Sequence, residues 1–312
     1  MLSPSHPIYL TIFVISQSSL SIVKAFNKGY AGRIIRIHFP SSDGSKILQR
    51  ATSLGIFGGL AGAGTTGLVT DSLGITWCFT FSAALYILSL VFAKLSLSRS
   101  SNDLKPTTTS PKPNPHQGSP KHLTRLMTLV LVFSVPSSAF LPYLNTLIVP
   151  LADSLQSTAN ANSASLVSVL TLATSAAGIF AGAILGTDRL PLPITLNTAL
   201  PLAAISSFGL AFITSPYTAI TLIFFASLFG TAHVLTMQVL TNQAPPADQV
   251  ASFTLLRNAF AGLSKAGASI IAGSIVATGD LSLAWHIASV ILVAASTTWL
   301  LFVRSHDLKA NH

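Results

Sequence analysis

Charge is the scarcest commodity in this chain: 8% of its 312 residues are Asp, Glu, Lys or Arg, and none is Glu. A soluble domain runs nearer a quarter charged, because it must solvate its surface. Half of the residues are apolar and mean hydropathy is +0.65. A chain so composed has no polar shell, and its solvent is largely lipid. Lipid admits only helices or closed barrels across it. The apolar runs are continuous rather than alternating, which argues against a barrel. The single cysteine, Cys78, excludes an intrachain disulfide and any cysteine-rich metal site. No HExxH occurs, the eight histidines are scattered, and no Asp falls deep in an apolar run. These absences remove the dense His/carboxylate or nucleophile-base groupings that an intramembrane enzyme needs, so neither enzyme, cofactor nor metal site is expected.

What is present is a succession of apolar stretches, each long enough to cross about 30 Å of hydrocarbon as helix. Nine spans are expected, near residues 8–25, 52–71, 74–95, 123–150, 163–186, 191–213, 217–240, 252–278 and 283–303. Pro136 and Pro142 are expected to kink the fourth, and residues 151–162 to form a loop. Residues 96–122 are rich in Ser, Thr, Pro and Lys, a composition that cannot bury a core. They divide the chain into a three-span bundle (1–95), a linker (96–122) and a six-span bundle (123–312). The fold class is therefore an all-α, multi-pass membrane protein with helices in a three-plus-six arrangement.

The basic residues sort by side. If the loop 26–51 faces the cytoplasm, so do 96–122, 187–190, 241–251 and the C-terminus. The opposite segments then carry no Lys or Arg, and hold Asp71, Asp153 and Asp280. That is the positive-inside pattern of a cytoplasmic-membrane protein, N-terminus out and C-terminus in. It accounts for the net charge of +9 without nucleic acid, leaving membrane lipid as the expected surroundings. Arg257 counts in this scheme as a charge near a cytoplasmic helix end.

An internal repeat joins the two bundles. FGGLAGAG (57–64) and FAGLSKAG (260–267) agree at five of eight positions. Each follows an Arg (Arg50, Arg257) and precedes an Asp (Asp71, Asp280), a Trp (Trp77, Trp285) and a further span. Small residues recur in any tight membrane helix pair, but the shared order and flanks favour two related halves. In these features the chain resembles the major facilitator superfamily. Residues 123–312 look like a complete second half, and 8–95 like helices four to six of the first. The loop with Pro40 and Arg50 before a Gly-rich helix, and NQAPPADQ (242–249) before a small-residue helix, are similar to the family's pattern. On that resemblance the chain lacks the family's first three helices and the Gly/Asp/Arg motif after helix two. GIFGGLAGAGTTG (55–67) has the glycines of an exporter's helix five without its proline. The resemblance implies a secondary transporter of a small organic solute, of the drug or metabolite efflux kind, working by alternating access. A truncated, non-transporting remnant or accessory subunit is the competing reading.

Pathway candidates follow from polar residues inside spans. Lys265 is the most informative, since a charge there costs roughly 2.5–3.5 kcal/mol. It shares a helix face with Asn258, Gly262 and Ser269. It either meets an anionic or polar solute group or snorkels to the interface. His233, with Met237 and Gln238, faces the same cavity or bonds a neighbouring carbonyl; His233 and Lys265 are the ionisable groups left for proton coupling. Asn145, between Pro142 and Pro150, marks either a cavity wall or a packing contact. Gln17 shares a face with Ser21, Lys24 and Lys28, a cavity wall or a cytoplasmic anchor. Gly55, Gly59, Gly62, Gly262 and Gly267 are expected to let helices pack closely.

Overall fold

The computed structural model describes residues 120–304, apart from short connections at 160–162, 186–191, 244 and 246–248, together with eight helical positions between Trp77 and Val91. Six helices follow one another: α1 (Pro120–Ala159), α2 (Ser163–Leu185), α3 (Leu192–Leu210), α4 (Pro216–Gln243), α5 (Val250–Val276) and α6 (Leu281–Arg304). No strand occurs among the described residues. Five of the helices have the length and hydropathy of a membrane span, and the apolar part of α3 (Ile194–Leu210) is shorter. These six correspond to the last six of the nine expected spans. The first two lie outside the described residues. Of the third, the described positions Trp77, Phe81, Ile87, Leu88 and Val91 are helical and exposed. Their spacing places them on one helical face.

The fourth span needs correction. Residues 151–159 were expected in a loop, yet α1 runs through them for 40 residues, about 60 Å at 1.5 Å per residue. Asp153, Ser154 and Gln156 make this stretch look loop-like, but they occupy its exposed side, while Leu151, Ala152 and Leu155 are buried. The helix is continuous through Pro136, Pro142 and Pro150. Its first residue is Pro120, whose missing N–H costs nothing at a helix start, so the expected linker ends slightly earlier.

The packing order explains how six helices make one core. α1 packs most extensively on α5, and α4 on α2 and α3; α3 also packs on α6, and α1 meets α4. The first helix of each triplet thus lies against the second helix of the other. Because α1 and α4 start at opposite ends of the bundle, the triplets relate as inverted repeats. α4 sits at the centre, with half of its apolar window buried. α5 is the least covered span, with 17% of its window buried.

The central core gathers Leu144, Leu147, Leu170, Leu200, Ile223 and Trp285 with their neighbours. Tyr143 on α1 donates its hydroxyl to the carbonyl of Ala284 on α6 at 2.6 Å. Near the other end, Phe133 and Trp299 meet edge to face at 4.9 Å, and Trp299 Nε1 donates to Asn197 Oδ1 at 3.1 Å. Outside this core, large side chains such as Val132, Phe180, Ile205, Phe212, Leu263 and Val290 are exposed. Water would penalise such a surface heavily, whereas hydrocarbon accepts it. The helices therefore belong to a multi-pass membrane protein.

Candidate functional site

Two apolar levels bracket a buried polar layer. At the first, Val130 on α1 and Phe253 on α5 pack together, with Leu240 of α4 against them. At the second, Gly230 on α4 lies so close to Phe140 on α1 that an added Cβ would stand 2.7 Å from the ring. Between them α1 presents Ser134, Ser137 and Ser138, α4 presents His233, and α5 presents Thr254, Arg257 and Asn258. All but Asn258, which is half-buried, are buried. On α5 the three polar residues and Ala261 fall at i, i+3, i+4 and i+7, so helical periodicity alone puts them on one stripe.

The hydrogen bonding of this layer is incomplete. Ser134 Oγ donates to Leu131 O at 2.8 Å, and Ser137 Oγ to the carbonyls of Phe133 and Ser134 at 3.2 and 3.1 Å. Those protons are spent on the serines' own helix, so each oxygen keeps only accepting capacity. His233 has 0% exposure, and neither ring nitrogen has a partner among the described residues. Arg257 is 5% exposed, and its Nε is likewise without one, as are Asn258 Nδ2 and Thr254 Oγ1. Arg257 lies near enough for its charge to act on the His233 imidazole. Most native buried polar groups are bonded; of the six described side chains with an open buried polar atom, four fall in this layer, Ser227 and Trp285 being the other two.

The described carboxylates stand at the opposite end and are occupied. Ser163 Oγ donates to Asp153 Oδ1, joining α1 to α2, and the Leu283 N–H donates to Asp280 Oδ1 at 2.8 Å, capping α6. The guanidinium therefore has no carboxylate partner among the described residues.

Of the residues singled out in the sequence, His233 and Asn258 come together in this layer. Gln238 lies just over one turn further along α4, half-buried, and Met237 is fully buried among Phe133, Leu196 and Trp299. Lys265 sits about two turns beyond Asn258, exposed on α5. Asn145 is exposed on α1, in line with Val132, Val135 and Val149. Gln17, Gly55, Gly59 and Gly62 fall outside the described residues. A Cβ built on Gly262 or Gly267 meets nothing within 4 Å. The close approach that does require glycine is at Gly230, a position without a signal in the sequence. Arg257 is the other surprise. It is buried about two turns inside α5 rather than flanking the helix, and the Thr254–Arg257–Asn258 spacing is the signal that would have found it.

A second feature is an apolar cleft of about 270 Å³ between α1, α5 and α6, lined by Pro136, Phe140, Tyr143, Gly267, Ala268 and Leu292 among others. The Tyr143 hydroxyl is committed to Ala284 O and that of Ser264, also on the wall, to Phe260 O at 2.7 Å. No group of three or more potential metal ligands is found among the described residues. The family model described as Major Facilitator Superfamily matches residues 2–252. No curated protein matches the chain.

Proposed function

The chain belongs to the Major Facilitator Superfamily, whose members are membrane transporters rather than enzymes, and from that premise we propose that it is a secondary active carrier of a small organic solute, working by alternating access. The observation that carries this reading is the open polar layer at Arg257 and His233 within an otherwise apolar bundle. Polar and ionisable groups inside a membrane are costly and mark solute or ion routes. The sparse cover of α5 adds to it: one side packs on α1 while most of its apolar window stays uncovered and can line a pathway. Lys265 and Asn258 on α5, with His233 and Gln238 on α4, are the residues assigned to that route, and His233 or Lys265 to any coupled proton. A linker that ends before Pro120 separates the second bundle from the spans ahead of it, and the distribution of Lys and Arg favours a cytoplasmic C-terminus.

The test is transport in proteoliposomes, screening labelled carboxylates, neutral polyols and amphiphilic amines for saturable flux. Lys265→Ala should change the half-saturation or maximal rate at least several-fold while the protein still inserts and elutes as a single species. Unchanged kinetics would remove Lys265 from the pathway. Absence of saturable flux for every solute class would refute the carrier reading itself.

A further inference from the structure

The polar layer is not neutral in what it offers. Arg257 has only donors, the open atom of Asn258 is its amide nitrogen, and Thr254 has a hydroxyl proton to give. A neutral imidazole adds one N–H more. Against these the described residues set no carboxylate, because Asp153 and Asp280 are engaged at the far end. An excess of inward donors around one buried cation is the complement of an oxyanion. The cost of leaving that cation without a counter-charge is severe, since a buried charge is tolerated only when paired and hydrogen-bonded.

Resting on the carrier reading above, we propose that Arg257, His233, Asn258 and Thr254 form a binding site for the carboxylate of a small monovalent organic acid, which makes organic monocarboxylates the substrate class. Charge balance selects the carboxylate over a phosphate. One guanidinium neutralises one negative charge, and the remaining donors are uncharged. With the imidazole neutral, a phosphate dianion would leave a full negative charge uncompensated in a low-dielectric bundle, since Arg257 is then the one cation among the described members of the layer. The guanidinium fork also matches the two carboxylate oxygens in geometry. Ser134 and Ser137, whose protons are spent on their own helix, add no donor to the layer and keep accepting capacity alone.

The probe is acetate, the smallest carboxylate with a methyl group, against its uncharged isostere acetamide. Both are titrated at constant ionic strength into the full chain held in lipid nanodiscs, and the thermal unfolding midpoint is followed. Acetate should raise the midpoint saturably and acetamide should not. Arg257→Gln should raise the acetate half-saturation by about tenfold or more, the usual consequence of deleting a charged hydrogen-bond partner. Asn258→Ala, which keeps the charge and deletes one donor, should weaken acetate by a smaller factor and serves if Arg257→Gln does not fold. Equal effects of acetate and acetamide, or wild-type acetate affinity in both variants, would overturn the proposal. Stronger Arg257-dependent stabilisation by inorganic phosphate than by acetate would overturn the carboxylate assignment. The two readings separate cleanly: Arg257-dependent acetate binding without saturable flux of any solute class refutes the carrier and keeps the site. Saturable flux of uncharged solutes without acetate binding refutes the site and keeps the carrier.

Discussion

Gly230 offers the sharpest test of the packing. A methyl group there would stand 2.7 Å from Phe140 Cδ1 and 2.9 Å from Cε1, where ordinary contact begins at 3.4 Å. The overlap is thus about 0.7 Å against a ring that is 4% exposed. Overpacking of this kind costs typically 1–3 kcal/mol. The gain in helix propensity on replacing Gly by Ala is about 1 kcal/mol, so Gly230→Ala should lose up to about 2 kcal/mol net. Phe140 has one direction in which to yield, because it also lines the apolar cleft beside α5 and α6. Filling that cleft should therefore make the substitution worse. Gly267→Leu, where a Cβ meets nothing and the cleft is at hand, should be near neutral alone. Combined with Gly230→Ala it should show a coupling of about 0.5–3 kcal/mol beyond additivity, as expected for substitutions sharing one cavity. The assay is unfolding in detergent micelles by denaturant titration, followed by tryptophan fluorescence in a Trp77→Phe background so that Trp285 and Trp299 report. Strict additivity of the two changes would refute the idea that the Phe140 ring escapes into the cleft. Equal stability of Gly230→Ala and Gly262→Ala would refute the close approach of α1 and α4.

Two further substitutions probe the bundle by the same unfolding titration. Tyr143→Phe keeps the ring and deletes the 2.6 Å bond to Ala284 O, so it should cost about 0.5–1.5 kcal/mol; no change would mean the α1–α6 tie does not form. Met237→Ala opens a void among Phe133, Leu196 and Trp299 and should cost roughly 2–5 kcal/mol; a loss below about 1 kcal/mol would show that this cluster is loosely packed.

The helices of the second bundle were legible because lipid imposes a simple rule on composition. α2, expected at 163–186, ends at Leu185, and α6, expected at 283–303, spans Leu281–Arg304. The far end of α1 was not legible. Asp153, Ser154 and Gln156 read as a loop in one dimension, and only the helical face they share separates them from buried Leu151 and Leu155. Arg257 failed for a related reason. Counting charges near span ends treats every flanking Arg alike, whereas burial depends on which neighbour the helix turns it toward, and α1 and α4 supply that neighbour. His233 and Asn258 were found from polarity within apolar runs, but their company with Arg257 needed the α4–α5 packing. The glycines show the limit of composition most plainly. Gly262 and Gly267 sit in a conspicuous small-residue motif with open space beside them, while isolated Gly230 is the one pressed against a ring.

The exchange of partners between the two triplets has a consequence for synthesis. α1 leaves the ribosome long before the helices it packs on, and the Tyr143 hydroxyl is separated from its acceptor at Ala284 by 141 residues. At translation rates of about 5–20 residues per second, α1 waits roughly 7–28 s in the membrane before α6 is made. Through that interval its buried serines, its tyrosine and its three interior prolines lack part of their final surroundings. The nascent bundle must therefore be held at the insertion site as an unfinished set of helices, and the last two helices to emerge, α5 and α6, are the ones that close it.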